Sequence, residues 1–179
     1  MLAEHLGPIQ LAELASQKAT LSARTRPGEW PRLRTIVAGH DGSTEDRLDV
    51  DVTLSRGTDG LAVVSVQVDG VLSLTCQRCL GGIRIPIDVD VVLAAVPTQE
   101  RADGLEDPFD SVLLDEDGGL ALRNVVEDEV LAGLPIAPLH DNATCAAAPA
   151  GSNQAVTTAI ETTRPFAALG ELLGRGQGR

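Results

Sequence analysis

The sequence predicts an α+β fold: an antiparallel twisted sheet, or a partial barrel of hairpins, with an N-terminal helix and a 120–134 helix packed on it. Three observations carry that expectation. In "RLDVDVTLSR", Leu48, Val50, Val52 and Leu54 alternate with polar residues, the period-two pattern of a half-buried strand. Further β-rich runs follow at hairpin spacing, which favours antiparallel neighbours over helical crossovers. The stretch "LALRNVVEDEVLAGLP" then places Leu122, Val125, Val126, Val130 and Gly133 on one helical face before Pro135 stops it.

Taken in order, "GPIQLAELASQK" reads as a short helix with Pro8 at its entry and apolar Ile9, Leu11 and Leu14. "PGEWPRLRTIV" is a helical turn or a strand lead-in, interrupted by Pro27 and Pro31. After the strand from Arg47, "GTDG" is a turn, and "LAVVSVQVDG" is a second β run that the Asp69-Gly70 pair should end. "VLSLTC" and "IRIPIDVDVVLAAV" supply two more, "PTQERADGLEDP" is an exposed acidic loop, and "FDSVLL" is one further strand. Asp115, Glu116 and Asp117 lack calcium-loop spacing and read as a solvated turn. Residues 1–141 are expected to form a single α+β domain; 142–179 read as a low-complexity linker and a short C-terminal helix at "RPFAALGELLG".

Composition narrows the function. A chain of 179 residues buries enough surface to fold without a disulfide or a metal. Trp30, Phe109 and Phe166 are its only aromatics, so the core must be Val, Leu, Ile and Ala. A net charge of -12 and a single lysine, Lys18, argue against nonspecific nucleic-acid binding, which rests on clustered Lys and Arg. The scarcity of aromatics also removes base-stacking platforms. One basic island remains, Arg24, Arg26, Arg32 and Arg34 around Trp30, either a solvated face or a contact for RNA or an acidic partner. No run approaches the length of a membrane helix and the N-terminus lacks a secretory pattern, so no membrane association and a cytoplasmic location are expected.

The stretch "LTCQRCLGGIRI" holds two of the three cysteines, Cys76 and Cys79, at CxxC spacing. A thioredoxin-like dithiol wants the motif at a helix N-terminus, whereas Gly81, Gly82 and a strand pattern follow here. A zinc knuckle fits a hairpin tip better and needs two more ligands. "HDNATC" offers His140 and Cys145, which would complete a Cys76, Cys79, His140 and Cys145 set. The third possibility is two small thiols at the end of a straight strand, where residues three apart face opposite sides. His5 and His40 lack a nearby cysteine and read as surface residues.

Three stretches resemble the YceD family of large ribosomal RNA subunit accumulation proteins: "GVLSLTCQRCLGGI" (70–83), "NVVEDEVLAGLPIAPLHDNATC" (124–145) and "PFAAL" (165–169). The resemblance implies a cytosolic protein that supports synthesis, processing or stability of 23S ribosomal RNA, with no settled enzymatic activity. The expected partners are a ribosomal protein or an assembly factor, with any contact to rRNA indirect or confined to the Arg24–Arg34 segment. An acidic chain suits a basic ribosomal protein, since opposite charge steers encounter.

An RNA hydrolase is not expected. Glu127, Asp128 and Glu129 are consecutive on a helix, so their side chains diverge by about 100° and cannot converge on two metal ions. Glu129 falls on the apolar arc, where a carboxylate needs a partner; an arginine, Arg78 or Arg84 first, or backbone amides of the sheet are expected, an exposed acidic edge being the alternative. No small-molecule substrate is evident. The competing function is a zinc-binding or redox-sensing protein acting through the CxxC.

Overall fold

Two long strands organise the chain. β3 (Ala62–Thr75) and β4 (Gly82–Val96) pair antiparallel from Ala62↔Ala95 to Thr75↔Gly82, so residues 76–81 form the tip of one extended hairpin. β2 (Leu48–Arg56) pairs antiparallel with β3, and β1 (Thr20–Thr25) with β2. β5 (Asp110–Leu113) joins the other side of β4, giving an open sheet in the order β1-β2-β3-β4-β5. The computed structural model describes residues 2–37, 45–105, 110–141 and 145. The expected linker and C-terminal helix, His40, Phe109 and Phe166 lie outside them.

The α+β expectation holds, and the strands depart from it in particulars. β3 runs unbroken through Asp69-Gly70, where a turn was expected. Gly70 answers to crowding: a Cβ there would lie 2.3 Å from the Arg47 carbonyl oxygen. β5 runs parallel to β4, in register Leu93↔Asp110 to Val96↔Leu113, in place of another hairpin. A parallel neighbour needs a crossover, and the expected loop supplies one as α3 (Gln99–Asp103), whose first turn is capped by the Thr98 hydroxyl. β5 reaches only Leu93–Val96, so Pro86 stands where β4 has a partner on one side alone, and its missing N–H leaves no gap in the ladder.

The sheet's inner face is aliphatic, with Val50, Val52, Leu54, Val64, Val66 and Val68 all buried. α1 (Pro8–Gln17) places Leu11 and Ala15 on it, four residues apart and hence on one stripe, while Ile9 points to solvent. α4 (Leu122–Ala132) buries Leu122, Val125, Val126 and Val130. Between them lies a segment made of a short 3-10 turn (Pro27–Glu29) and α2 (Leu33–Ile36), which buries Trp30 and Leu33. Trp30 donates from Nε1 to Thr25 Oγ1 at 3.0 Å, and the Arg123 guanidinium lies 5.3 Å from its ring centre.

The outer face carries a row of like charges. Asp49, Asp69 and Asp88 are direct partners across β2, β3 and β4. Arg24, opposite Asp49, donates to it from Nε at 2.5 Å and Nη2 at 3.2 Å, which holds the Asp49 carboxyl below its ordinary value. Like charges directly opposed on a sheet repel. Asp69→Asn, which removes the middle charge, should therefore raise stability by about 0.5 kcal/mol in denaturant titrations, a gain that shrinks as salt screens the row.

Candidate metal centre

The hairpin tip bends tightly. Cys76 donates its backbone N–H to Gly81 O at 2.8 Å, and Leu80 N–H returns to Cys76 O at 2.9 Å. The left-handed residue is Leu80, with φ 59°, and neither of the glycines that follow it. That bend removes the straight strand in which the two thiols would face apart. Behind α4, the proline-rich stretch returns to the tip, where Gln77 N–H donates to Pro138 O at 2.9 Å.

All four expected ligands come together. The ligand atoms of Cys76, Cys79, His140 and Cys145 lie within 4.8 Å of one another. Cys76 Sγ is 4.0 Å from Cys145 Sγ, and Cys79 Sγ is 3.3 Å from His140 Nδ1. Tetrahedral zinc with bonds of about 2.3 Å to sulfur and 2.0–2.1 Å to nitrogen needs edges of roughly 3.5–3.8 Å, so the donors sit near those spacings. His140 Nε2 lies 3.0 Å from Gly82 O. A carbonyl only accepts, so this nitrogen holds the ring proton and Nδ1 turns its lone pair toward the thiols, the arrangement that orients metal-binding histidines.

The electrostatics also suit a cation. Burial pushes the Cys76 thiol up, but the backbone amides of Cys79, His140 and Arg78, with the Cys79 side chain, outweigh it and bring Cys76 down to about 5. Burial, then the sulfurs of Cys79 and Cys76, push Cys145 up. One sulfur held as thiolate beside another made reluctant to ionise is what crowding of negative charge produces, and a divalent ion relieves it. A second group, His5, Asp115 and Asp117, lies at the surface; His5 Nε2 meets Asp115 at 2.9 Å and ties the N-terminal segment to the Asp115–Gly119 turn.

Glu129 is partly buried as expected, but the arginine partner goes to another member of the acidic triplet. Glu127, not Glu129, is the buried carboxylate, 1% exposed. Its Oε1 accepts from the backbone N–H groups of Arg32 at 2.7 Å and Leu33 at 2.9 Å, and Oε2 accepts from Arg32 Nε at 3.1 Å. Arg32 also pairs with Asp128, so Arg32 takes the role expected of Arg78 or Arg84. The expected apolar arc was read from α4 alone. The 27–36 segment covers the adjoining flank and carries burial round to Glu127. Two of the four arginines of the basic island, Arg24 and Arg32, are thereby engaged with carboxylates.

Glu129 is half-buried, and burial, then Asp110 and Asp128, raise its carboxyl above the ordinary value. A group with a raised folded-state pKa favours the fold below its unfolded value and loses that contribution as pH rises through the folded one. Glu129→Gln should therefore be more stable than the parent at neutral pH. That advantage should disappear below about pH 4.3, as read by urea titration at both ends.

No helix among the described residues is long and apolar enough to cross a membrane. No solved structure matches the chain. The YceD protein of Haemophilus influenzae, a large ribosomal RNA subunit accumulation protein, is 31% identical over 101 residues. The aligned part is 54% of this chain and 57% of that protein, so the chain spans little more than half the length of its curated relative. The family model described as large ribosomal RNA subunit accumulation protein YceD matches residues 64–173, more than half of the sequence and inclusive of the hairpin tip, α4 and all four clustered ligands. The chain belongs to the YceD family.

Proposed function

We propose that this chain is a cytoplasmic, non-catalytic ribosome-biogenesis factor that supports synthesis, processing or stability of 23S ribosomal RNA through a protein partner. Cys76, Cys79, His140 and Cys145 hold a structural zinc in this reading. The closure of that cluster is the observation that carries the non-catalytic part: four protein donors fill a tetrahedron, whereas catalytic zinc keeps one position open. The triplet supports it too, because Glu127 and Asp128 are turned to Arg32. The ribosomal role rests on the family. A basic ribosomal protein is the partner suited to the Asp49–Asp69–Asp88 row and the net charge of -12.

Two measurements test this. Depleting the protein from its own cells should lower 23S relative to 16S ribosomal RNA, and an unchanged ratio would refute the role. Capture of rRNA by the purified chain should fall when ribosomal proteins are first stripped from the RNA. Undiminished capture of naked RNA would replace the protein-mediated route with direct binding.

A further inference from the structure

We infer that a hydroperoxide converts this centre from a metal clasp into a covalent one, by joining Cys76 to Cys145 and expelling the ion. The inference rests on the metal reading of the same four residues, and it selects one of three possible thiol pairs. Cys76 is fully buried, while Cys79 and Cys145 are partly exposed and free, so an oxidant reaches one of those two first. Cys76 and Cys145 approach to 4.0 Å. A disulfide needs about 2.05 Å, so closing the gap takes an approach of roughly 2 Å between the two sulfurs.

The CxxC pair is less well placed for the same step. Cys76 Sγ accepts from the His140 backbone N–H at 3.4 Å, which seats the stretch leading to Cys145 against that sulfur. Cys79 Sγ lies 3.3 Å from His140 Nδ1. Bringing it onto Cys76 would require opening the turn closed by the Leu80 N–H to Cys76 O bond. Cys145 lies 69 residues from Cys76 in sequence, so joining these two leaves the Leu80 N–H to Cys76 O bond of the tip in place.

The chemistry balances with the peroxide as oxidant. As a metal ligand Cys145 would already have given up its proton, and its sulfur attacks a peroxide oxygen; an S–O bond forms, the O–O bond breaks and hydroxide (or alkoxide) leaves. The Cys76 thiolate then attacks the Cys145 sulfur, forming S–S, breaking S–O and releasing a second hydroxide. Two sulfurs are oxidised by two electrons in total, the peroxide is reduced, and the released anions take up protons. The ion keeps only Cys79 and His140 and leaves.

The sequence supplies its own assay, because Arg78 lies between the two CxxC cysteines and Arg123 precedes Cys145. Trypsin therefore places each cysteine on a different peptide. The purified protein is treated with hydrogen peroxide, blocked, digested without reductant and mapped by mass spectrometry, with bound zinc counted before and after. Free thiols should fall from three to one per chain, bound zinc from one to none, and the Cys76–Cys145 peptide pair should predominate. A dominant Cys76–Cys79 or Cys79–Cys145 pair, or higher oxidation without a cross-link, overturns the inference. Protein that carries no zinc beforehand refutes the metal reading, while the peptide pairs still decide the thiol pairing. Cys79→Ser should lose zinc yet still form the Cys76–Cys145 link; a variant that stays folded by circular dichroism and forms none overturns the direct route.

Discussion

Glu127→Ala is expected to destabilise the fold by about 3–5 kcal/mol, the range for breaking a buried charge pair from one side. Most of that loss should come from the backbone. Oε1 receives the N–H groups of both Arg32 and Leu33, and Leu33 is fully buried, so truncation strands two donors at about 1–3 kcal/mol each. The guanidinium contributes less, because Arg32 is half exposed and retains Asp128. A graded series should follow in denaturant titrations. Glu127→Gln keeps an acceptor oxygen and costs less than alanine, and Arg32→Ala costs least, since both amides keep their carboxylate. Equal losses for Glu127→Ala and Arg32→Ala would assign the energy to the ion pair instead.

Removing the metal should be the next largest perturbation. On the proposed assignment, zinc at a thousandfold excess over its dissociation constant stabilises the folded chain by about 4 kcal/mol. For a chain of this size that corresponds to roughly 10 °C in thermal midpoint. A chelator strong enough to strip the ion should lower the midpoint by that amount while leaving the far-ultraviolet dichroism in place, because most of the aliphatic core is supplied by β2, the body of β3, α1 and α4 and not by the tip. Cys79→Ser should show the lowered midpoint at once and no further response to chelator. A midpoint unmoved by chelation, in protein free of metal by elemental analysis, would refute the assignment.

The ligand types were legible because CxxC and H-x4-C spacing constrain few alternatives. Their meeting was not, since Cys79 and His140 are 61 residues apart and only the packing of α4 beside β4 returns the loop to the tip. The helix itself was plain from its period, yet its buried charge was assigned to Glu129 in place of Glu127. A helical wheel knows one packing partner, and α4 has two. β1 carries a faint strand pattern because its outward residues, Thr20, Ser22 and Arg24, alternate with Leu21, Ala23 and Thr25, of which only Leu21 is strongly apolar. At Asp69-Gly70, residue types that commonly make turns serve a crowded straight strand, and no local pattern distinguishes the two. The direction of β5 depended on whether a short acidic stretch coils into a helix, which Thr98 decides by capping it.

Trp30, the only tryptophan, gives the molecule a built-in optical reporter whose reach is confined to one corner. Its ring is buried, bonded to Thr25 and faced by Arg123, beside the turn that Glu127 holds. Emission should therefore redden when the N-terminal segment lifts from α4 and stay unchanged when the hairpin tip is emptied or oxidised. Fluorescence and elemental content thus follow two separate fastenings of the same sheet, and the order in which their signals fail on heating identifies which one gives way first.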